Sequence, residues 1–147
     1  MKTRIIKTKF WSSSSTLKLS KDARYLSIYL LSCPHIGLTG IFELPDQIIL
    51  METGLTSEEL QNAKLSLEKQ GKMFFYEDWV WVVNHDKHNP YNISPKTAQA
   101  YWREAEQIPD DVKQQFQVAA TTEKLRDRIA PYVSKNGEYK HRLVAEK

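Results

Sequence analysis

Gln61, Asn62, Leu65 and Lys69 recur at a spacing that places them on one side of a helix, and their types are those that read DNA. A glutamine or asparagine amide can pair with adenine through two hydrogen bonds in the major groove, and a leucine can meet the thymine methyl. Ser57, at the start of the same helix, joins them as a contact candidate. Glu58 and Glu59 beside it oppose phosphate, so the face reads equally as a solvated helix closing a small core. Leu65, apolar and outward, also suits a protein partner. Phosphate contacts then fall to basic residues elsewhere. Lys2, Arg4, Lys7, Lys9, Lys18, Lys21 and Arg24 stand in a segment with one acid, Asp22. A basic N-terminal arm that positions, beside a helix that specifies, is a workable division of labour, and Lys69 and Lys72 add to it.

Other chemistries are weaker. Phe74, Phe75, Tyr76, Trp79 and Trp81 offer a stacking platform for single-stranded bases, although such aromatics more often divide between core and partner contact. His85 and His88 stand three apart in a loop, but without cysteines or a glutamate pair nearby a metal site is not expected. Glycine-rich phosphate cradles, a nucleophile elbow and a Ser/His/Asp set are absent, so neither catalysis nor a cofactor is expected. The single cysteine, Cys33, lies in an apolar run and reads as a small core residue.

The elements that must position these side chains follow from caps, breakers and periodicity. Ser20 is an N-cap with Asp22 in the first turn, and Ala23, Leu26, Leu30 and Cys33 repeat at helical spacing, widened by Ile28, Tyr29 and Leu31 into a helix surrounded on most sides. Pro34 and Gly37 stop it, and "LTGIFEL" has strand length and composition. Pro45 and Gly54 bracket a short helix, the first at its opening turn and the second past its end. Thr56 and Glu59 then stand in capping-box spacing, starting a helix over residues 57–70 that Gly71 closes. Two helices joined by so short a turn make a helix-turn-helix or an ordinary helical hairpin. "KMFFYEDWVWVV" reads as a hairpin turning near Glu77 and Asp78. The order helix, strand, helix, helix, strand, strand is that of a winged helix. Beyond a loop, Ser94 and Pro95 open a helix with Ala98, Tyr101 and Trp102 as packing residues. A second begins after "IPDD", keeps helical spacing through Val112, Phe116, Ala119 and Ala120, and extends to Ile129 before Pro131 ends it.

The expected fold is therefore α+β and mainly helical: a winged helix-turn-helix with a basic arm over residues 1–90, a helical extension over 91–130, and a loosely held tail over 131–147. The chain of 147 residues, net charge +3, has basic ends and an acidic middle. Residues 1–24 carry +6, residues 25–84 carry −5, and residues 121–147 carry +3. Basic ends suit a polyanionic partner, or simply keep the chain in solution. No apolar run reaches membrane-spanning length and the N-terminus lacks a secretory signal, so the expected location is cytoplasmic, with no membrane partner.

The ordered series "FW" at Phe10 and Trp11, "LSKDARYL", "GLTGIFELPDQII", "TGLTSEEL", "VWVVNH", "NPYNISPK" and "IPDDV" resembles the N-terminal winged-helix domain of phage replisome organizer and replication initiation proteins, similar in plan to bacterial primosome proteins of the DnaD type. The resemblance covers roughly residues 4–117 and departs at the serine run of residues 12–15. It implies binding of double-stranded origin DNA, in a bacterial host cell, through the second helix of the helix-turn-helix and its wing, and recruitment of helicase-loading partners. A homodimer would meet half-sites about one helical turn apart. The terminal "NGEYKHRLVAEK" resembles the opening of a phage HNH-type homing endonuclease domain, without the metal-binding histidines that a nuclease needs. From another class, the chain reads as an interaction module that binds host replication or defence proteins through Leu65 and the wing aromatics, and a phage transcriptional regulator is a third reading.

Overall fold

Ser20 opens the central helix as its N-cap, its hydroxyl accepting from the Ala23 amide at 3.2 Å. In the computed structural model, which describes residues 3–85 and 94–133, that helix runs Lys21–Ser32 and is α2. A 3-10 turn, Thr8–Ser12, and the single turn α1, Ser14–Leu17, precede it. After it come β1 (Ile41–Glu43), α3 (Asp46–Thr53), α4 (Ser57–Lys69), β2 (Met73–Tyr76) and β3 (Trp79–Val82). Three more helices follow: α5 (Pro95–Glu106), α6 (Asp110–Ala119) and α7 (Glu123–Val133). Among the described residues this is a mainly helical α+β fold, with seven α-helices and one small antiparallel sheet. None of these helices is long and apolar enough to cross a membrane.

The turn between α3 and α4 is built as its residue types require. Gly54 takes the left-handed conformation at φ 75°, which a Cβ would strain, and its amide closes α3 on the Leu50 carbonyl. Two residues later the capping box is complete. The Thr56 hydroxyl accepts from the Glu59 amide at 3.1 Å while the Glu59 carboxylate accepts from the Thr56 amide at 2.8 Å. Pro45 is the N-cap of α3 rather than a residue of its first turn. Ala23, Leu26 and Leu30 of α2 and Leu60, Ala63 and Leu67 of α4 meet in the main core, all essentially inaccessible. At about 1.5–3 kcal/mol for each fully buried leucine, this contact holds α4 in place. Cys33 is buried in the same core, where burial raises its thiol pKa.

The sheet runs in the order β1-β3-β2, with Ile41 opposite Trp81 and Phe74 on the other side of Trp81. Successive strand residues face opposite ways, and here both faces are covered. Phe42, Met73, Phe75, Val80 and Val82 join the core of α2 and α4. Ile41, Phe74, Tyr76, Trp79 and Trp81 join a second cluster with Val112 and Phe116 of α6 and Leu125 and Ile129 of α7. Trp81, 1% exposed, lies between Phe74 and Phe116, with ring centroids 5.2 and 5.8 Å away. The aromatics of the hairpin are thus divided between two cores, Phe74 and Trp81 buried and Phe75, Tyr76 and Trp79 half-buried.

Two further clasps fix the C-terminal helices. The Glu104 carboxylate of α5 accepts from the Leu38 amide at 3.0 Å and the Thr39 amide at 2.7 Å. Tyr132 of α7 donates to the Thr39 carbonyl, and Tyr101 of α5 donates to the Tyr132 hydroxyl at 2.8 Å.

Two expectations about the C-terminal helices are corrected. The helix expected to extend to Ile129 breaks at Ala120, because Thr122 supplies a new cap, its hydroxyl accepting from the Leu125 amide at 3.3 Å. Pro131 does not end α7, which continues to Val133. The proline costs one hydrogen bond near the helix end, where the tyrosine clasp and the packing of Tyr132 and Val133 against the second cluster hold the turn. From residue 8 onward the basic N-terminal segment packs on the fold: Phe10 and Leu19 enter the core, Thr16 is fully buried, and Arg24 donates to the Leu17 and Leu19 carbonyls.

Candidate functional site

The outward face of α4 carries Ser57, Gln61, Asn62, Leu65 and Lys69, all exposed, because Leu60, Ala63 and Leu67 take the opposite side into the core. Its chemistry changes along its length. At the N-terminal end stand Glu58 and Glu59, the latter with its carboxyl lowered below the usual range by its hydrogen bonds with the Thr56 amide and hydroxyl. Asp46, in the first turn of α3, accepts from Gln61 Nε2 at 3.1 Å and pairs with Lys64 Nζ at 2.5 Å. Lys64 in turn lies 5.1 Å from the Phe75 ring centroid. The Gln61 amide must leave Asp46 before it can pair with a base through both its atoms. Asn62 and Leu65 lie farther from this acidic corner.

The C-terminal end of α4, about 18 Å from its start at 1.5 Å per residue, is basic. Two concavities adjoin there. The first, of about 250 Å³, is lined by Lys7, Lys9 and Lys72, by the hydroxyl residues Ser13, Ser15 and Thr16, and by Asn84. Its apolar wall comes from Phe10, Leu31, Met73 and Val82. The second, of about 440 Å³, shares Ser15, Lys72 and Asn84 with the first and adds Lys69 and Lys124. Among the described residues Glu68 is the one acid lining either, and its Oε1 accepts from the Phe75 amide at 3.1 Å.

Local structure explains how these groups converge. Ser13 ends the 3-10 turn and caps α1, accepting from the Thr16 amide at 3.3 Å, while its own hydroxyl donates to Thr16 Oγ1 at 2.8 Å. Gln70, the C-cap of α4, donates from Nε2 to the Ser15 carbonyl at 3.0 Å and ties the serine run to the end of α4. Lys72 follows Gly71 into the hairpin and reaches Thr16 Oγ1 at 3.5 Å. Burial pushes the Lys72 ammonium below its ordinary pKa.

Of the residues singled out in the sequence, Lys7, Lys9, Lys69 and Lys72 are brought together. Arg4 is not among them, because its guanidinium donates to the Ile36 carbonyl. Lys2 lies outside the described residues, as do His88, most of "NPYNISPK" and the terminal segment resembling a nuclease domain. His85 is buried at 4% exposure, and among the described residues no three His, Cys, Asp or Glu side chains are placed to hold a metal ion. The hydroxyl wall and Lys124 carried one sequence signal, a short serine run set among lysines, but pairing that run with Gln70 depends on the tertiary fold. The hairpin tip, Glu77 and Asp78, is acidic and exposed. No known family model, curated protein or solved structure matches the chain.

Proposed function

We propose that this chain is a winged-helix protein that binds double-stranded DNA, with α4 as the groove-reading helix, and that it acts in replication initiation as the resemblance implies. The element order and the sheet order β1-β3-β2 support the winged-helix reading. The observation that carries DNA binding is the continuity of the exposed C-terminal half of α4 with concavities lined by Lys7, Lys9, Lys69, Lys72 and Lys124. Asn62 and Leu65 would meet base edges and the five lysines the phosphates, leaving the acidic hairpin tip turned off the backbone.

Fluorescence anisotropy with labelled duplexes, titrated at several salt concentrations, tests this. Duplex binding should weaken steeply with salt, and each of Lys7→Ala and Lys69→Ala should reduce the logarithmic salt slope by about 0.9. Absence of binding to any duplex would overturn the proposal. A second reading as an interaction module for a host replication or defence protein is favoured by Leu65 at 65% and Met51 at 83% exposure on consecutive helices. That reading predicts that Leu65→Asp leaves all DNA titrations unchanged.

A further inference from the structure

The first concavity has features that duplex binding does not require. Backbone phosphates of a duplex lie along a surface and each carries one charge, whereas this cavity has depth and an apolar wall of Phe10, Met73 and Val82. We propose that it is a binding site for a phosphate monoester on a nucleotide-sized body, with Lys7, Lys9 and Lys72 and the Ser15 hydroxyl around the phosphate. Three ammonium groups suit the double charge of a monoester, and the Ser15 hydroxyl can donate to one of its oxygens. Among the described residues no carboxylate lines the cavity to compete for the lysines. A volume of about 250 Å³ lies just under the range of small-molecule sites and fits one small ligand. A bare phosphate would leave the apolar wall uncovered.

Two groups give the cavity its polarity. Lys72 is half-buried with Thr16 Oγ1 at 3.5 Å, and its desolvation is offset by an incoming dianion. Asn84 Oδ1 is buried with no hydrogen-bond partner among the described residues, and a sugar hydroxyl is the kind of donor that would suit it. The same chemistry can arrive as a free mononucleotide or as the 5′-phosphorylated end of a DNA strand, and the site does not depend on α4 reading a groove.

The experiment is calorimetric titration of the full chain with adenosine 5′-monophosphate and thymidine 5′-monophosphate against their nucleosides, and with a single-stranded oligonucleotide bearing a 5′-phosphate against its 5′-hydroxyl form. At least tenfold tighter binding of the phosphorylated member is expected in one arm or both. Preference among mononucleotides identifies a free ligand, and preference confined to the oligonucleotides identifies a strand end. Lys72→Met, which keeps the side-chain length and removes the buried charge, should abolish the preference while circular dichroism stays unchanged; the exposed Lys9→Ala should weaken it at least threefold without any risk to folding. Equal binding of phosphorylated and unphosphorylated members in both arms, or a preference that survives Lys72→Met and Lys9→Ala together, would overturn the proposal. A duplex with 5′-hydroxyl ends reports separately on groove binding, so failure of either proposal is distinguishable from failure of the other.

Discussion

Gly37→Ala should destabilise the protein in the native background and stabilise it once Glu104 is removed. A Cβ built at Gly37 would lie 2.0 Å from Glu104 Oε1 and 2.7 Å from its carboxyl carbon, so the carboxylate must give way. The side chain is flexible, but its displacement breaks the bonds to the Leu38 and Thr39 amides. Hydrogen bonds to a charged group contribute about 1.5–3 kcal/mol each, and the site is only partly buried, so the loss should total about 2–4 kcal/mol. Glu104→Ala removes the same two bonds and should cost a similar amount. In the Glu104→Ala background the new methyl has no carboxylate to displace, and alanine restricts the unfolded chain, a gain of about 0.4–1 kcal/mol. The effect of Gly37→Ala therefore changes sign. Urea unfolding of the four proteins of this cycle, followed by tryptophan fluorescence, measures the coupling directly. Additivity within about 0.5 kcal/mol would refute the reasoning, because it would mean that Gly37 and Glu104 act through different neighbours.

Glu77 occupies the first turn position of the β2–β3 hairpin at φ 51°, where Glu77→Gly should relieve strain of about 1 kcal/mol and raise the melting temperature by a few degrees; a lowered temperature would show that the side chain contributes more than the strain costs. The Glu52 carboxyl is held below its ordinary pKa by hydrogen bonds from Tyr29 at 2.5 Å and His35 at 2.7 Å. Because its folded pKa is depressed, its contribution is present above the unfolded value near 4.5 and is lost as pH falls through the lower folded value. Denaturant titrations across the acid range should accordingly show a smaller fall in stability for Glu52→Gln than for the unaltered chain, and identical acid limbs would exclude this linkage.

Local signals predicted local structure well. Ser20, Thr56 with Glu59, and Ser94 each cap the helix that follows, because an N-cap needs only the next three residues to act. Leu60, Ala63 and Leu67 likewise turned inward and left Gln61, Asn62 and Leu65 outside, as helical periodicity requires. The misjudged points lie where distant residues decide. Ala119 and Ala120 continue the spacing of Val112 and Phe116, so periodicity alone carries the helix past the break that Thr122 introduces. The hairpin aromatics gave no sign of being shared between two cores, since the second core is built by helices that follow much later in the chain. Nor does any local pattern foretell that the Arg4 guanidinium donates to the Ile36 carbonyl, thirty-two residues away. For the candidate site, the lysines were legible one by one, while their convergence with the serine hydroxyls was not, because it depends on Gln70 reaching back to Ser15.

The two-sided sheet has a consequence for how the sequence can change over time. Val80 and Trp81 are adjacent in the chain but answer to different surroundings, the first to α2 and α4 and the second to α6 and α7. A change of volume at Trp81 must be compensated at Phe116 or Ile129, whereas Val80 can drift with Leu26 or Leu60 without regard to either. Among descendants of this chain, neighbours along β3 should vary independently, and residues separated by a helix or more should vary together.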